Sequence, residues 1–204
     1  MSIIRELFGP SKKEIWKILS EQTGSEFVEG GLFKGSDKVV AQYRDWIITL
    51  DTYTVSNGKT STTYTRMRAP YVNVDGFRFS IYRSGIFSEL GEFIGFHDIE
   101  IGDVDFDKAF VIKASDQEKV KELLADPQIR ELINLQPRFH LEVKDDEGWF
   151  GISFPDGVDE LYFRVPGIIK DIEQLKGLFE VFSEVMNRLC IIGAAYQSSP
   201  GVEL

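Results

Sequence analysis

The dipeptide Asn57-Gly58 lies between two runs rich in β-branched and aromatic residues, and no other local feature constrains the fold as strongly. A type I′ turn requires positive φ at both central residues, which Asn and Gly tolerate, and its twist matches that of two paired strands. With a two-residue loop, Asp51 faces Tyr64 across the hairpin. The sequence therefore predicts an antiparallel β-hairpin in this register.

The two faces of the predicted hairpin differ in chemical character. One face is apolar and is expected to join the core; its residues are Trp46, Ile48, Leu50, Met67 and Ala69. The other face carries Asp51, Tyr64, Arg66 and Arg68, and Arg78 of the next strand is expected near them. Arg supplies forked donors and Tyr a stacking surface, so this face is the candidate site for a ligand or a protein partner. Because Asp51 lies diagonal to Arg66 in the predicted register, a cross-strand ion pair is the alternative explanation of the same residues.

Hydrophobic periodicity elsewhere predicts a single α+β domain that spans 1–204. Antiparallel hairpin and meander sheets are expected to pack with the helices of this domain. The predicted segments, in chain order, are an N-terminal helix at 11–23, a first β region at 37–113, two short helices at 115–135, a second β meander at 138–165 and a long closing helix at 168–191.

Local signals support several of these elements. Three helix starts match known capping patterns: Ser11 with Glu14, Ser115 with Glu118, and Asp126 with Pro127. The first β region includes strands at about 92–101 and 106–113, and the meander includes a central strand at 150–154. Apolar residues from Ile172 to Leu189 form a stripe wider than a coiled-coil seam, so packing on the sheet is favoured over dimerisation.

The overall charge excludes one class of partner. The chain has 204 residues and a net charge of −10, whereas non-specific binding to nucleic acid requires Lys and Arg to neutralise phosphates. The sequence has no secretory signal and no apolar run of membrane-spanning length. The single cysteine, Cys190, fits a reducing compartment. We therefore expect a cytoplasmic protein with no nucleic-acid partner and no transmembrane segment.

Alternating carboxylates in the acidic segment 98–107 are the strongest pattern for metal chemistry. On one face of a strand, Asp103, Asp105 and Asp107 would offer the oxygen ligands that hard cations prefer. An EF-hand loop that starts at Asp103 would need Gly at its sixth position and Glu at its twelfth, where the chain has Lys and Ala. The alternative is a solvated strand edge whose charges discourage pairing between sheets.

No catalytic constellation is apparent in the sequence. His97 and His140 are far apart, and Cys190 lies between apolar neighbours, which favours an inert buried thiol. We therefore predict a non-catalytic intracellular binding or interaction domain without a cofactor, whose partner is another protein or a second copy of the chain. The alternative is a divalent-cation-dependent hydrolase or small-molecule enzyme that uses the acidic segment 98–107.

The acidic segment also carries a family resemblance. Residues 102–111 read GDVDFDKAFV, Asp116 and Leu132 follow them, and the similar stretch 63–66 lies upstream. Together these motifs, over the middle half of the chain, resemble an uncharacterised family of bacterial domains of unknown function. In that family the domain often follows membrane-spanning segments of larger cytoplasmic proteins, whereas this chain shows a Gly-containing linker and no such segment. The resemblance therefore implies neither membrane attachment nor catalytic residues.

Overall fold

The computed structural model describes residues 10–31, 35–85, 96–145, 154–202 and 204. These residues form five α-helices and nine β-strands. The helices are α1 (Lys12–Thr23), α2 (Val104–Ala109), α3 (Gln117–Leu124), α4 (Pro127–Asn134) and α5 (Ile172–Ile191). The strands are β1 (Glu26–Val28), β2 (Lys38–Tyr43), β3 (Trp46–Ser56), β4 (Ser61–Asn73), β5 (Phe79–Arg83), β6 (Phe110–Ala114), β7 (His140–Lys144), β8 (Val158–Pro166) and β9 (Ala195–Tyr196).

All nine described strands belong to one antiparallel sheet, which confirms the predicted α+β class. The strand order is β1-β2-β3-β4-β8-β7-β5-β6, and β9 pairs with the end of β4. The two predicted β regions form one sheet because β8 pairs with β4, with Met67 opposite Phe163 near the middle of the pairing. The closing strand of the second region thus lies against the hairpin of the first.

One face of the sheet packs with the helices around a continuous hydrophobic core. Alternation places Ile48, Met67 and Phe163 of neighbouring strands on this face, and all three are fully buried. Trp16 of α1 joins the same core, and its Nε1 donates to the carbonyl oxygen of Ile169 at 3.2 Å. The predicted apolar face of the hairpin is confirmed, since each of its five residues is buried.

The predicted helices are present, although two of them start differently. α1 begins with the predicted capping box and α4 with the predicted N-cap Asp126. Asp116 caps α3 in place of Ser115, because its carboxylate accepts hydrogen bonds from two N–H groups of the first turn. α5 begins after the N-cap Asp171, four residues later than predicted. No helix in the described part of the chain is both long and apolar enough to cross a membrane.

The hairpin of β3 and β4 forms, but its register differs from the prediction by two residues. Asp51 lies opposite Arg66 rather than Tyr64, and Tyr53 takes the position opposite Tyr64. Because side chains alternate with a period of two, this shift keeps every side chain on its predicted face. The predicted faces are therefore correct, whereas the predicted cross-strand partners are wrong.

The register differs because the turn is centred one residue later than predicted. Ser56 pairs with Ser61, and the N–H of Asn57 donates to the carbonyl oxygen of Thr60 at 3.1 Å, so Gly58 and Lys59 are the central residues. The side-chain oxygen of Asn57 accepts hydrogen bonds from the N–H groups of Lys59 and Thr60, at 3.1 and 2.9 Å. Gly58 has a φ of 81°, but Asn57 lacks the positive φ that a type I′ turn centred on Asn57-Gly58 requires. A turn that the Asn57 side chain caps thus replaces the predicted one.

In the residues that the structure describes, the predicted strand at 92–101 is wrong, and the predicted strand at 106–113 is confirmed only from Phe110 onward. Residues 96–100 form no regular secondary structure, α2 occupies Val104–Ala109, and β6 begins only at Phe110. The helix is favoured because the carboxylate of Asp103 accepts a hydrogen bond from the N–H of Phe106 at 3.2 Å, as an N-cap does. Residues 92–95 lie outside the described part of the chain.

The predicted meander is described only at its outer strands. β7 and β8 pair directly, with Leu141 opposite Phe163 and Val143 opposite Leu161. The predicted central strand at 150–154 lies outside the described residues except for Phe154, which is not in a strand. The three-stranded order predicted for this region is therefore wrong, because its first and last strands are neighbours in the sheet.

Candidate functional site

The face of the sheet opposite the core carries a central group of arginine, tyrosine and aspartate side chains. We call it the outer-face cluster; it consists of Asp51, Tyr53, Tyr64, Arg66, Arg68, Tyr162 and Arg164. These positions alternate with core residues along β3, β4 and β8. The strand pairing then brings them side by side, with Arg66 between Asp51 on one neighbouring strand and Arg164 on the other.

Asp51 holds two arginines of the neighbouring strand. Its Oδ1 accepts a hydrogen bond from Nε of Arg66 at 2.6 Å, and its Oδ2 accepts one from Nη2 of the same guanidinium at 3.0 Å. Nη2 of Arg68 donates to the same Oδ2 at 2.7 Å. The Arg68 side chain is only 4% exposed, whereas that of Arg66 is 19% exposed. The cross-strand ion pair is therefore present, directly opposite rather than diagonal.

Tyr53 connects the aspartate and its arginines to β8. Its ring stacks on Tyr64 with a centroid separation of 5.2 Å, and the Arg66 guanidinium lies 5.0 Å from its centroid. Its hydroxyl accepts a hydrogen bond from the hydroxyl of Tyr162 at 3.4 Å. Tyr53 also interacts with Arg164 and raises the pKa of its guanidinium. These contacts fix the arginine and tyrosine planes against one another on the sheet surface.

The titration properties of the cluster keep it cationic. Burial raises the pKa of Tyr162, and the adjacent Tyr53 raises it further. Burial alone lowers the pKa of Arg164, but the interaction with Tyr53 and neighbouring charges outweigh it, so the pKa is raised overall. The Tyr162 hydroxyl is therefore neutral and the Arg164 guanidinium charged at physiological pH.

A buried carboxylate extends the polar face onto β7. The Oε2 of Glu142 lies 3.4 Å from Nε2 of His140, and its Oε1 lies 3.4 Å from Nζ of Lys144. Burial raises the pKa of Glu142, but the hydrogen bond with His140 and the charges of His140, Lys144 and Arg164 outweigh it, so the pKa is lowered overall. Glu142 is thus held as an anion that pairs with cations, not as a proton donor.

The structure separates Arg78 from the other predicted contact residues. Arg78 lies just before β5, and two strands, β8 and β7, stand between β5 and β4. Its Nη2 donates to Asp145 at 2.7 Å, and its Nε lies 3.7 Å from Asp159. Asp51, Tyr64, Arg66 and Arg68 do come together, but the expected proximity of Arg78 to them is not found.

The predicted site did not include Tyr53, Tyr162, Arg164 or Glu142, which the structure places on this face. The outward orientation of Tyr162 and Arg164 follows from alternation along β8, because Leu161 and Phe163 are buried in the core. Their proximity to Arg66 depends on the pairing of β4 with β8, which no local sequence signal indicates. The alternation pattern could therefore have identified their face but not their neighbours.

The acidic segment 98–107 does not present its carboxylates to a common site. Asp103 caps α2 and lies 3.1 Å from Nε of Arg130. Asp107 accepts hydrogen bonds from two backbone N–H groups of the preceding turn, at 2.9 and 3.0 Å. Asp105 is exposed. Within the described residues, no three His, Cys, Asp or Glu side chains are placed to hold a metal ion.

Cys190 lacks the features of an activated nucleophile. It lies near the end of α5 and is half-buried. Burial raises the pKa of its thiol, and the lowering effect of Arg44 is smaller. The thiol is therefore protonated at neutral pH, whereas reactive cysteines have a lowered pKa.

Comparison with known proteins identifies a neighbour in fold. No protein-family model matches the chain, and no curated protein matches its sequence. The chain is similar to the crystal structure of the mycobacterial trehalose monomycolate transport factor A, TtfA, with a TM-score of 0.53 and 7% identity. The similarity covers 94% of this chain and 98% of that chain. At this identity the comparison establishes a shared fold and nothing more.

Proposed function

We propose that this chain is a non-catalytic binding domain that contacts an acidic segment of a protein partner through the outer-face cluster. The observation that carries this proposal is the geometry of Arg66. Asp51 fixes its guanidinium in place, Tyr53 and Tyr64 stack beside it, and part of the side chain remains exposed. Arg and Tyr in this arrangement are the residue types enriched at the energetic centres of protein interfaces.

The charge of the face supports an acidic partner. The outward positions of β3, β4, β7 and β8 carry four basic side chains, Arg66, Arg68, Lys144 and Arg164, and three acidic ones, Asp51, Glu142 and Glu160. This surplus of basic groups stands out in a chain whose net charge is −10. A basic region on an acidic protein attracts and orients an acidic partner more than any other kind.

The non-catalytic class is supported by how the polar groups are used. Of the predicted metal ligands, Asp103 caps a helix and Asp107 holds a turn, and the cysteine is not activated. The neighbour in fold is a transport factor, and its name describes no reaction. Its cargo is a property of that protein, and we do not extend it to this chain. From the single cysteine we further infer a cytoplasmic location.

Quantitative affinity capture tests the contact face. Tagged wild-type chain and a Tyr64→Ala variant are incubated with the same cell extract, and bound proteins are quantified by mass spectrometry. We expect a partner that Tyr64→Ala loses, since an aromatic anchor typically contributes 2 kcal/mol or more, about thirtyfold in affinity. Retention of that partner should also fall as salt is raised.

The matched control is Lys176→Ala, which removes a partly exposed cation of α5 that pairs with Glu173. This variant should keep the partner at the wild-type level. Identical captured proteins for the wild type and Tyr64→Ala would contradict the proposed face. A chain that binds only itself, seen as a dimer by light scattering, would replace the acidic partner with a second copy.

A further inference from the structure

A groove runs along the first turns of α5 and includes no residue of the outer-face cluster. It consists of two adjoining clefts with volumes of about 240 and 310 Å³. Pro137, Asp171 and Gln174 line both clefts, which makes the groove continuous. The two volumes together are within the range of small binding sites.

Gln136 gives this groove an unsatisfied hydrogen-bonding group. The residue lines the larger cleft and is only 2% exposed, and its Oε1 accepts no hydrogen bond from the described residues. Its amide lies against Gly177 of α5, where a Cβ would come within 3.0 Å of Nε2. A buried polar atom without a partner destabilises a fold. Gly177 therefore leaves room for this amide beside α5, at a position that lines the larger cleft.

The amide chemistry indicates what the groove recognises. A primary amide combines a carbonyl acceptor with N–H donors, as a peptide unit does. Gln174 adds a second side-chain amide to the same groove. Two amides along one groove can pair with the N–H and C=O groups of an extended backbone, which has no internal partners for them.

The walls and ends of the groove define the side chains of such a segment. Leu135 and Ile168 at its edges are 68% and 42% exposed, unusually high for large apolar side chains. Arg138 and Lys170 line the smaller cleft, whereas Glu173 lines the larger one. Asp171 lines both clefts, so the smaller cleft carries two cations and one carboxylate, whereas the larger cleft carries two carboxylates.

We propose that this groove binds an extended segment of another protein. The segment has apolar residues at its centre, an acidic residue toward Arg138 and Lys170, and a basic residue toward Glu173. Its backbone forms hydrogen bonds with the amide of Gln136. This interaction is separate from the one proposed for the outer-face cluster, so the two can succeed or fail independently.

A phage-displayed library of random heptapeptides, panned against the whole chain, tests this proposal. Recovered peptides are synthesised with a fluorescein label, and their affinities are measured by fluorescence anisotropy. We expect peptides with an apolar centre between one acidic and one basic end. Gln136→Leu should weaken binding by at least about fivefold, the effect of one lost hydrogen bond.

Gln136→Leu also separates a binding role from a structural one. It keeps the side-chain volume and removes a buried unpaired atom, so the unfolding temperature should equal or exceed that of the wild type while peptide affinity falls. Ile168→Glu should weaken binding through the groove wall, and Lys113→Ala on β6 should leave it unchanged.

Three results would overturn the proposal. The first is a panning that enriches no peptide above an unrelated control domain. The second is an affinity unchanged by both Gln136→Leu and Ile168→Glu. The third is Gln136→Leu lowering the unfolding temperature while Ile168→Glu has no effect on binding, which would make Gln136 a packing residue only. Peptides whose binding is lost in Tyr64→Ala, rather than in the groove variants, would bind to the outer-face cluster and not to the groove.

Discussion

Asp51 and Arg66 face each other across β3 and β4, and both carboxylate oxygens receive hydrogen bonds from the one guanidinium, at 2.6 and 3.0 Å. The same carboxylate also holds Arg68, which is almost fully buried. Asp51 therefore determines the positions of two cations on the outward face of the sheet. The Arg66 side chain, which is 19% exposed, is thus held in place by the Asp51 side chain, which is only 10% exposed.

Replacing Asp51 with Ala is expected to destabilise the chain by about 3–5 kcal/mol, because it leaves Arg68 buried without its observed carboxylate partner and releases Arg66. Chemical denaturation followed by tryptophan fluorescence measures the change. Glu100→Ala, which removes an exposed carboxylate, is the control and should change stability by less than about 0.5 kcal/mol. Equal losses in the two variants would show that Asp51 is not the centre of the arrangement.

Replacing Asp103 with Ala tests whether the acidic segment is structural. We expect a loss of about 1–2 kcal/mol, because the substitution removes the N-cap of α2 and the ion pair with Arg130. We also expect Mg²⁺ and Ca²⁺ to leave the unfolding temperature of the wild type unchanged. A rise in unfolding temperature with either cation that Asp103→Ala abolishes would support the metal prediction instead.

Gly102 occupies a backbone conformation that other residues adopt only with strain. Its φ is 87°, and a Cβ built there would meet no atom within 4 Å. Gly102→Ala is therefore expected to lower the free energy of unfolding by about 1–2 kcal/mol through backbone strain alone. Gly31→Ala is the matched control, since Gly31 has equal space and lacks a positive φ. Similar effects at both glycines would exclude strain as the cause.

The lowered pKa of Glu142 predicts a specific dependence of stability on pH. Because that pKa lies below the ordinary 4.5, the ionised carboxylate stabilises the fold above pH 4.5, and its contribution is lost as the pH falls through the folded-state pKa. Urea midpoints between about pH 7 and about pH 3 should therefore fall more steeply for the wild type than for Glu142→Gln. Parallel profiles would place the acid sensitivity elsewhere.

Local sequence signals predicted the elements of this fold better than their neighbours. The alternation of Trp46, Ile48 and Leu50 with polar residues identified the core face of β3 correctly, even though the register was wrong by two residues. A period of two tolerates that error, because any even shift preserves the faces. The same shift changes every cross-strand partner, which is why Arg66 was predicted to lie diagonal to Asp51 rather than opposite it.

The acidic segment shows how a strand pattern can mislead. Carboxylates alternate with Val104 and Phe106, as on a half-exposed strand, yet the residues form a helix. The informative signal was Asp103, three residues before Phe106, since Asp is a preferred N-cap. The rings of Phe106 and Phe110 then stack at 4.6 Å, the i, i+4 contact of a helical turn.

The candidate sites depended on contacts that no local pattern carries. The outer-face cluster needs β8 beside β4, and the groove needs Gln136 beside Gly177 of a distant helix. Neither residue of the second pair belongs to a motif. Such sites arise where separate elements meet, so only the folded chain identifies them.

The seam between β4 and β8 has a consequence for how the protein is made. Met67 and Phe163 lie opposite each other across this seam, but they are far apart in the sequence, so β8 is synthesised long after β4. Until β8 arrives, the thirteen residues of β4 are an open edge with one apolar side, the kind of edge along which chains associate. In a newly synthesised molecule, the pairing of β8 with β4 therefore competes with association between chains through the open edge of β4. Fragments cut on either side of the seam should aggregate when expressed alone.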